Sequence, residues 1–268
     1  MNIKKLFMTG VIALSVSALV GCGAAKDEAQ QPGASDEKAG AAEQTVTYKV
    51  GTEAGFPPFM WMEGTQVVGF EADLLKAIAE GGGFQVDLQN TGWDPLFNGI
   101  DTGKIDLGIA AITITEKRKE TYDFSEPYFD AKQLILVPKD STVSKLDDLE
   151  GKKVGVQSAT TGEAVVQDKF GKTYEGIKGY DDIPAAVDDL LSGRLDAVVA
   201  DNAVVKKYLE KIGDQGFKQI DDPSFELEQY GLIVKKGNQE VLDKVNAGIK
   251  AIKENGKYQE IYNQYFSE

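Results

Sequence analysis

A repeated pattern of segments restricts how this chain can fold more than any other feature of the sequence. Lys49–Glu53 (KVGTE) resembles Lys153–Gln157 (KVGVQ), and Gly103–Ala110 (GKIDLGIA) resembles Gly193–Ala200 (GRLDAVVA). Each match alone is weak evidence for a repeat, because helix–Gly–strand junctions are common in α/β proteins. Two matches in the same order are stronger evidence for a repeated structural unit. The repeat predicts two lobes that share one βαβ core.

Hydrophobic periodicity within the first half supports an α/β fold class. Short apolar or alternating runs predict strands, and periodic runs predict helices between them. The predicted order is strand Val46–Gly51, helix Asp73–Glu80, strand Phe84–Leu88, helix Pro95–Asp101 and strand Ile105–Ile109. Gly81, Gly82 and Gly83 follow the first helix and predict its end. Strands that alternate with helices indicate a mostly parallel sheet.

The repeat also predicts where a site should lie. In open α/β sheets, ligands bind beyond the carboxyl ends of the strands. Those ends are Glu53 and 110–113 in the first half, and Gln157 and Asp201 in the second. If the halves face each other, these four places meet in one cleft, and clefts between domains favour small-molecule sites.

Composition excludes several classes of function. The chain has 268 residues, with 43 Asp and Glu against 29 Lys and Arg, and a formal net charge of −14. Binding of nucleic acid needs clustered basic residues, so we expect none. The chain has no His and a single Cys. We therefore expect no metal site, no cofactor and no catalytic residues, because the commonest metal ligand and general base is absent.

The N-terminus has the pattern of a lipoprotein signal. Lys4 and Lys5 precede an apolar run that is too short to span a bilayer comfortably, and the run ends in Leu19–Cys22 (LVGC). This resembles a lipobox, which implies a signal peptide over residues 1–21 and lipid, including palmitate, on Cys22. An unmodified thiol is the alternative. Residues 22–44 are predicted to form a flexible tether, so we expect an extracytoplasmic protein anchored to the cell membrane.

Several polar residues near the strand ends suit a carboxylate. Arg118 presents a planar fork that matches one with two parallel hydrogen bonds, and the Thr113 hydroxyl lies nearby in the sequence. Arg118 could instead be solvated among charged neighbours. Thr160 and Thr161 precede a helical run whose free N–H groups favour an anion, although capping of that helix explains them equally well.

Other candidate residues suit a positively charged group of a ligand or the apolar part of its side chain. Asp201 follows a predicted strand, where it could hold an ammonium group or cap the next helix. The aromatic residues Phe56 and Trp93 lie near the first-half strand ends, where they could contact a ligand or belong to the core. Phe56 stands in a Gly-Phe-Pro-Pro segment typical of a surface loop.

With these residues in place, the chain resembles the family-3 extracellular solute-binding proteins, the polar amino-acid-binding components of bacterial ABC importers. The resemblance runs from about Thr45 to Phe266. The segments that carry it are Gly51–Phe59, Gly69–Leu74, Ile112–Arg118, Asp123–Tyr128, Leu149–Val156, Gly193–Ala197 and Tyr258 with Tyr262, Tyr265 and Phe266.

The resemblance implies roles for the candidate residues. Arg118 and Thr113, with N–H groups near Thr160 and Thr161, would hold the ligand's α-carboxylate. Asp201 and a carbonyl near Ala111 would hold its α-ammonium. Phe56 and Trp93 would flank its side chain, and Glu53 and Gln157 would meet the tip.

The resemblance also implies a two-lobed, periplasmic-binding-protein-like fold of type II with two hinge strands. We expect residues 45–132 and 229–268 to form the first lobe, 133–228 the second, and the crossings to lie near 132–138 and 227–232. The implied partners are a small amino acid and the permease of an ABC importer, and we expect a monomer.

Glu53 favours a basic ligand, arginine or lysine, with glutamine second, because a buried carboxylate needs a counter-charge. Glu53 could instead pair with a protein lysine. Three alternatives share the scaffold: a dehydratase of cyclic acids, a sensory ectodomain and a surface adhesin. A dehydratase would need a poised acid, which a His-free cleft occupied by binding groups does not offer. A sensor would need further segments after Phe266.

Overall fold

A computed structural model describes residues 45–213 and 216–266 of the chain. The predicted signal peptide, Cys22 and the tether lie outside the described residues. Within them, no helix is long and apolar enough to cross a membrane. The same ranges contain no group of three metal-ligating side chains that could hold an ion.

The first of two large sheets contains strands from both ends of the folded chain. Its five strands stand in the order β5 (Gln85–Asn90), β1 (Thr47–Thr52), β6 (Leu107–Gly108), β15 (Ile233–Lys235) and β7 (Tyr122–Phe124). β1 pairs in parallel with β5 and β6, and β15 pairs antiparallel with β6 and β7. We call this sheet, with the helices that pack on it, the first lobe.

The second sheet repeats this arrangement. Its five strands stand in the order β11 (Ile177–Tyr180), β10 (Val154–Gln157), β12 (Ala197–Asp201), β9 (Gln133–Pro138) and β13 (Phe217–Ile220). β10 pairs in parallel with β11 and β12, as β1 does with β5 and β6. This sheet and its helices form the second lobe, and the predicted two-lobed α/β fold is confirmed.

The sequence repeat is visible in matching hydrogen bonds. The Asp106 carboxylate accepts from the Lys49 amide at 2.9 Å, and the Asp196 carboxylate accepts from the Lys153 amide at 2.7 Å. These four residues belong to the two pairs of repeated segments. Each Asp ties the start of the third parallel strand of its sheet, β6 or β12, to the first, β1 or β10, so the repeated sequence encodes a repeated structural junction.

Two short strands connect the lobes. β8 (Phe129–Ala131) leads from the first sheet to the second, and β14 (Glu228–Tyr230) leads back. They pair antiparallel, with Ala131 opposite Glu228 and Phe129 opposite Tyr230. The predicted first crossing at 132–138 is wrong by a few residues, because Gln133–Pro138 pairs with two strands of the second sheet. The predicted second crossing, 227–232, contains β14.

Eight α-helices and a small sheet complete the described part of the chain. The helices are α1 (Phe70–Gly82), α2 (Trp93–Thr102), α3 (Glu116–Lys119), α4 (Thr161–Phe170), α5 (Ile183–Leu191), α6 (Asn202–Ile212), α7 (Gln239–Glu254) and α8 (Lys257–Phe266). A 3₁₀ turn covers Leu146–Leu149, and β2 (Gly55–Phe56), β3 (Met60–Glu63) and β4 (Gln66–Val68) form an antiparallel sheet. α1 begins earlier than predicted and is followed by Gly83, whose φ of 72° places it in the left-handed region as a C-cap.

The C-terminal helices pack on the first lobe. α7 lies against α1, where a Cβ at Gly248 would overlap the carbonyl oxygen of Ile78. Tyr265 of α8 donates to Asp73 of α1 at 2.6 Å, and Phe266 packs edge-on against Phe70. The aromatic C-terminus therefore closes the apolar face of α1.

Candidate ligand-binding site

The ends of β1, β6, β10 and β12 converge on one small cavity between the lobes. All ten predicted site residues line it, together with Ala110: Glu53, Phe56, Trp93, Ala110, Ala111, Thr113, Arg118, Gln157, Thr160, Thr161 and Asp201. The cavity has a volume of about 10 Å³, which leaves room for roughly one water molecule. A larger ligand would therefore need the lobes to move apart.

Arg118 is held between the lobes rather than solvated. Its Nη1 donates to the carbonyl oxygen of Thr113 at 2.9 Å, and its Nη2 donates to that of Ala159 in the second lobe at 3.3 Å. Burial lowers the pKa of Arg118, and the nearby carboxylates of Glu228 and Asp201 oppose that shift. The guanidinium is thus a partly desolvated cation, which interacts more strongly with an anion beside it than it would in water.

The Trp93 ring lies against Arg118. The guanidinium carbon stands 5.3 Å from the centre of the Trp93 ring, within cation–π range. Phe56 packs on Phe59, with ring centres 6.0 Å apart and an interplanar angle of 26°. Both predicted aromatic residues therefore line the cavity while also packing on protein groups. The contact of Trp93 with Arg118 was not foreseen in the sequence.

Thr160 and Thr161 have different environments. Thr160 is the N-cap of α4: its hydroxyl accepts from the Glu163 amide at 3.4 Å and donates to the Gln157 carbonyl at 2.7 Å. The Thr161 hydroxyl faces the other lobe and approaches the Thr113 hydroxyl at 3.4 Å. Capping thus explains Thr160, whereas Thr161 points to groups across the cleft.

Glu228 joins the two threonines. Its Oε2 accepts from the Thr113 hydroxyl at 2.7 Å and from the Thr161 hydroxyl at 2.9 Å, while its Oε1 accepts from Gln133 Nε2 at 3.1 Å. Thr113 belongs to the first lobe and Thr161 to the second. A carboxylate on a crossing strand therefore bridges the lobes through both hydroxyls.

Asp201 is a buried acceptor, not a helix cap. It stands at the N-cap position of α6 but makes no capping hydrogen bond there. Its Oδ1 instead accepts from the Tyr230 hydroxyl at 2.7 Å and from Gln133 Nε2 at 3.1 Å. Burial raises the pKa of Asp201 to about 7, with a further contribution from Glu228. A cation placed beside Asp201 would restore its charge.

Glu53 meets Gln157 across the cleft. Both are buried, and Gln157 Nε2 donates to both Glu53 oxygens at 2.9 Å. Burial raises the pKa of Glu53 to about 7, because the Gln157 hydrogen bonds only partly compensate and Asp182 and Asp94 add negative charge. A positive group beside Glu53 would therefore lower this pKa and favour the ionised form.

The Ala111 backbone is held by a buried carboxylate. Ala111 has a φ of 49°, which is uncommon for a residue other than glycine, and its amide donates to Glu71 Oε1 at 2.7 Å. Glu71 is fully buried in α1 and also accepts from the Tyr128 hydroxyl. Glu71 thus fixes the turn that carries Ala111 along the cavity wall.

The comparisons with known proteins agree with this geometry. The model of the bacterial extracellular solute-binding proteins, family 3, matches residues 48–268. The chain belongs to this family. Its match with the family covers both lobes and every residue of the cavity.

Individual family members are similar over most of the chain. A probable histidine-binding protein of Neisseria gonorrhoeae is 35% identical over 269 residues, covering 100% of this chain and 97% of the relative. The arginine-, lysine-, histidine-binding protein ArtJ from Geobacillus stearothermophilus is 43% identical with a TM-score of 0.80, covering 84% of this chain and 96% of that one. An ancestral amino acid-binding protein, a precursor of cyclohexadienyl dehydratase, is 35% identical with a TM-score of 0.74, covering 82% and 96%.

Sequence reasoning missed four residues that shape the site in this family member. Three of them lie in or next to the strands that connect the lobes and link Asp201 to the two threonines: Gln133, Glu228 and Tyr230. The fourth, Glu71, accepts a hydrogen bond from the Ala111 amide. Glu228 and Tyr230 fall inside the segment predicted as a crossing. That location was the available signal, because a strand that crosses between lobes must pass the base of their cleft.

Proposed function

We propose that the protein binds a basic amino acid, arginine or lysine, between its lobes and delivers it to the permease of an ABC importer. The observation that carries this proposal is the buried carboxylate of Glu53 in the cavity. Its charged neighbours, Asp182 and Asp94, are acidic, and burial raises its pKa to about 7. A ligand cation would offset this cost of ionisation, whereas a neutral or acidic side chain would not.

The relatives support the same class of ligand. By their descriptions, one is a probable histidine-binding protein and another is an arginine-, lysine-, histidine-binding protein. Histidine therefore joins arginine and lysine as a basic candidate. Glutamine stays second, because the Gln157 side chain could also pair with an amide.

The α-amino acid group would be held by residues of both lobes. Arg118, Thr113 and the N-terminus of α4 would bind its carboxylate, because a desolvated guanidinium and free N–H groups both favour an anion. Asp201 and the Ala111 carbonyl would bind its ammonium. Phe56 and Trp93 would flank the side chain, and Glu53 and Gln157 would contact its tip. This arrangement uses every predicted residue in the cavity.

The test is a titration of the purified protein with arginine, lysine, histidine, glutamine and glutamate, preceded by a thermal-shift screen of all common amino acids. A ligand at about 100 times its dissociation constant should stabilise the protein by roughly 2.7 kcal/mol. A basic amino acid should bind most tightly, and Glu53→Gln should remove that preference while retaining glutamine binding. Glutamine or glutamate binding at least about tenfold tighter than all three basic ligands would contradict the assignment.

We infer that the protein acts as a binding protein rather than as an enzyme. The cavity is lined by two carboxyl groups, Glu53 and Asp201, whose pKa of about 7 is in the range of a general acid. In the proposed complex each faces a cation, which lowers its pKa and leaves no proton to donate. Incubation with cyclic carboxylic acids should therefore give no dehydrated product, and turnover would refute the inference.

We further propose that the mature protein is a monomer anchored to the outer face of the cell membrane by lipid on Cys22. The family is extracellular by description, and the LVGC segment has the pattern of a lipobox. Two or more acyl chains are sufficient for stable anchoring. Mass spectrometry of the membrane fraction should find a lipid-modified N-terminal Cys22, and Cys22→Ala should carry no lipid. An unmodified Cys22 in a soluble protein would disprove the anchor.

A further inference from the structure

The Glu228 carboxylate occupies groups that the proposed function assigns to the ligand. It accepts hydrogen bonds from the hydroxyls of Thr113 at 2.7 Å and Thr161 at 2.9 Å. It is also the carboxylate that acts most strongly on Arg118, opposing the effect of burial on the Arg118 pKa. An anion of this chain therefore already interacts with the three side chains that best suit a ligand carboxylate.

Hydrogen-bond donors at this position are limited. A threonine hydroxyl carries one hydrogen, so it can donate to only one acceptor at a time. The hydroxyls of Thr113 and Thr161 both donate to Glu228 Oε2, and these contacts leave neither hydroxyl with a free hydrogen. The same two hydroxyls cannot then donate to a second carboxylate.

The position of Glu228 connects this competition to lobe movement. Glu228 lies on β14, opposite Ala131 of β8, in the pair of strands that crosses between the lobes. Thr113 follows β6 in the first lobe, and Thr161 begins α4 in the second. Glu228, at the crossing, thus adds a contact between the two lobes through one hydroxyl from each.

Resting on the proposed function, we propose that Glu228 is an internal competitor for the ligand's α-carboxylate and a latch on the unliganded cleft. In the absence of ligand, Glu228 bridges Thr113 and Thr161 and keeps the lobes close. An incoming amino acid displaces it, because the ligand carboxylate can accept hydrogen bonds directly from Arg118 as well as from both hydroxyls, whereas Glu228 acts on Arg118 only through its charge. Only unlatched molecules can bind the ligand carboxylate. The apparent affinity is therefore the intrinsic affinity multiplied by the unlatched fraction of molecules.

The test compares Glu228→Gln with Glu226→Gln, an exposed position two residues earlier. Glu228→Gln removes the competing charge and should tighten binding of arginine and of glutamine alike, by about tenfold, the equivalent of one net hydrogen bond. Agmatine, which is arginine without its α-carboxylate, should gain much less than arginine. Glu226→Gln should bind all three as the wild type does.

The outcomes separate this inference from the proposed function. If Glu228→Gln loses affinity equally for arginine and agmatine, Glu228 binds the ligand's ammonium group. If Glu228→Gln binds arginine as the wild type does, Glu228 does not compete with the ligand. Either result overturns the inference. If glutamine binds and arginine does not, the basic-ligand proposal fails while the Glu228 test proceeds on glutamine.

A second measurement needs no ligand. X-ray scattering of unliganded Glu228→Gln and Glu228→Ala should give a larger radius of gyration than the wild type, because the bridge between the lobes is lost. Circular dichroism of both variants checks that they fold. An unchanged radius in folded Glu228→Ala would rule out the latch.

Discussion

Gln157 donates from its side-chain nitrogen to both carboxylate oxygens of Glu53, at 2.9 Å each. The two residues hold equivalent places in the repeat, because Glu53 follows β1 of the first lobe and Gln157 ends β10 of the second. The duplicated strand ends therefore face each other directly. Their contact can exist only when the lobes are close, so the two lobes form one site together and neither forms it alone.

The small cavity predicts that ligand entry requires opening. At about 10 Å³ it cannot admit an amino acid, and its polar groups are divided between the lobes. We expect the unliganded protein to exchange between the form latched by Glu228 and open forms, and ligand to draw the open fraction into the closed form. X-ray scattering should show a smaller radius of gyration with arginine than without it, and a larger decrease in Glu228→Gln, whose unliganded form is more open. A non-binding amino acid serves as the control, and no change at saturation would argue for a preclosed site.

Arg118→Lys should remove most of the affinity. A lysine ammonium cannot reproduce the two-point contact of a guanidinium, and the ligand carboxylate would stay half-paired in a buried place. The expected loss is roughly 2–5 kcal/mol of binding free energy. Arg194 is the only other arginine in the sequence and is exposed, so Arg194→Lys is a matched control with normal binding. Near-normal calorimetric affinity in Arg118→Lys would exclude the clamp.

The preference for arginine over glutamine should depend on pH. Burial raises the pKa of Glu53 to about 7 in the unliganded protein, so the ionised form that binds a cation is lost as the pH falls below that value. The ratio of arginine to glutamine affinity should fall about tenfold between roughly pH 8 and pH 6. The shifted pKa of Asp201 cancels in this ratio, because both ligands carry an α-ammonium. Glu53→Gln should give a constant ratio, and a constant wild-type ratio would disprove the contact.

Glu71→Gln should change how stability varies with pH. Burial raises the pKa of Glu71 from 4.5 to about 7, so the folded protein binds this proton more tightly than the unfolded chain does. Its contribution to stability is complete below about pH 4.5 and is lost as the pH rises through 7. The free energy of unfolding should fall by about 3 kcal/mol over this range because of Glu71. Glutamine cannot titrate, so the variant should gain stability relative to wild type between those values.

Urea denaturation at about pH 5 and pH 8 measures this difference. Glu80→Gln, at an exposed position of the same helix, controls for the substitution itself. A difference between Glu71→Gln and wild type that does not change with pH would show that the Glu71 carboxyl is not perturbed by its burial.

The sequence by itself determined the parts of the protein that depend on local pattern. The repeat of Lys49–Glu53 in Lys153–Gln157 predicted two equivalent βαβ cores, and in both sheets the first of the three parallel strands, β1 or β10, lies between the other two. The rule that ligands bind beyond strand ends then selected Glu53, Gln157, Thr113 and Asp201. Strand ends can be identified from a short window of residues, because side-chain periodicity and turn residues are local properties.

Only the tertiary structure decided how these groups are connected. Glu228 accepts hydrogen bonds from Gln133 and Thr113, which lie 95 and 115 positions away in the sequence. They depend on the register of β8 against β14 and on the closeness of the lobes, and no local pattern encodes either. The same holds for the contact of Trp93 with Arg118 and for the support of Ala111 by Glu71. Strand ends, which a local pattern reveals, determine which residues lie near the cleft. The hydrogen bonds between those side chains depend on packing between segments that are distant in the sequence.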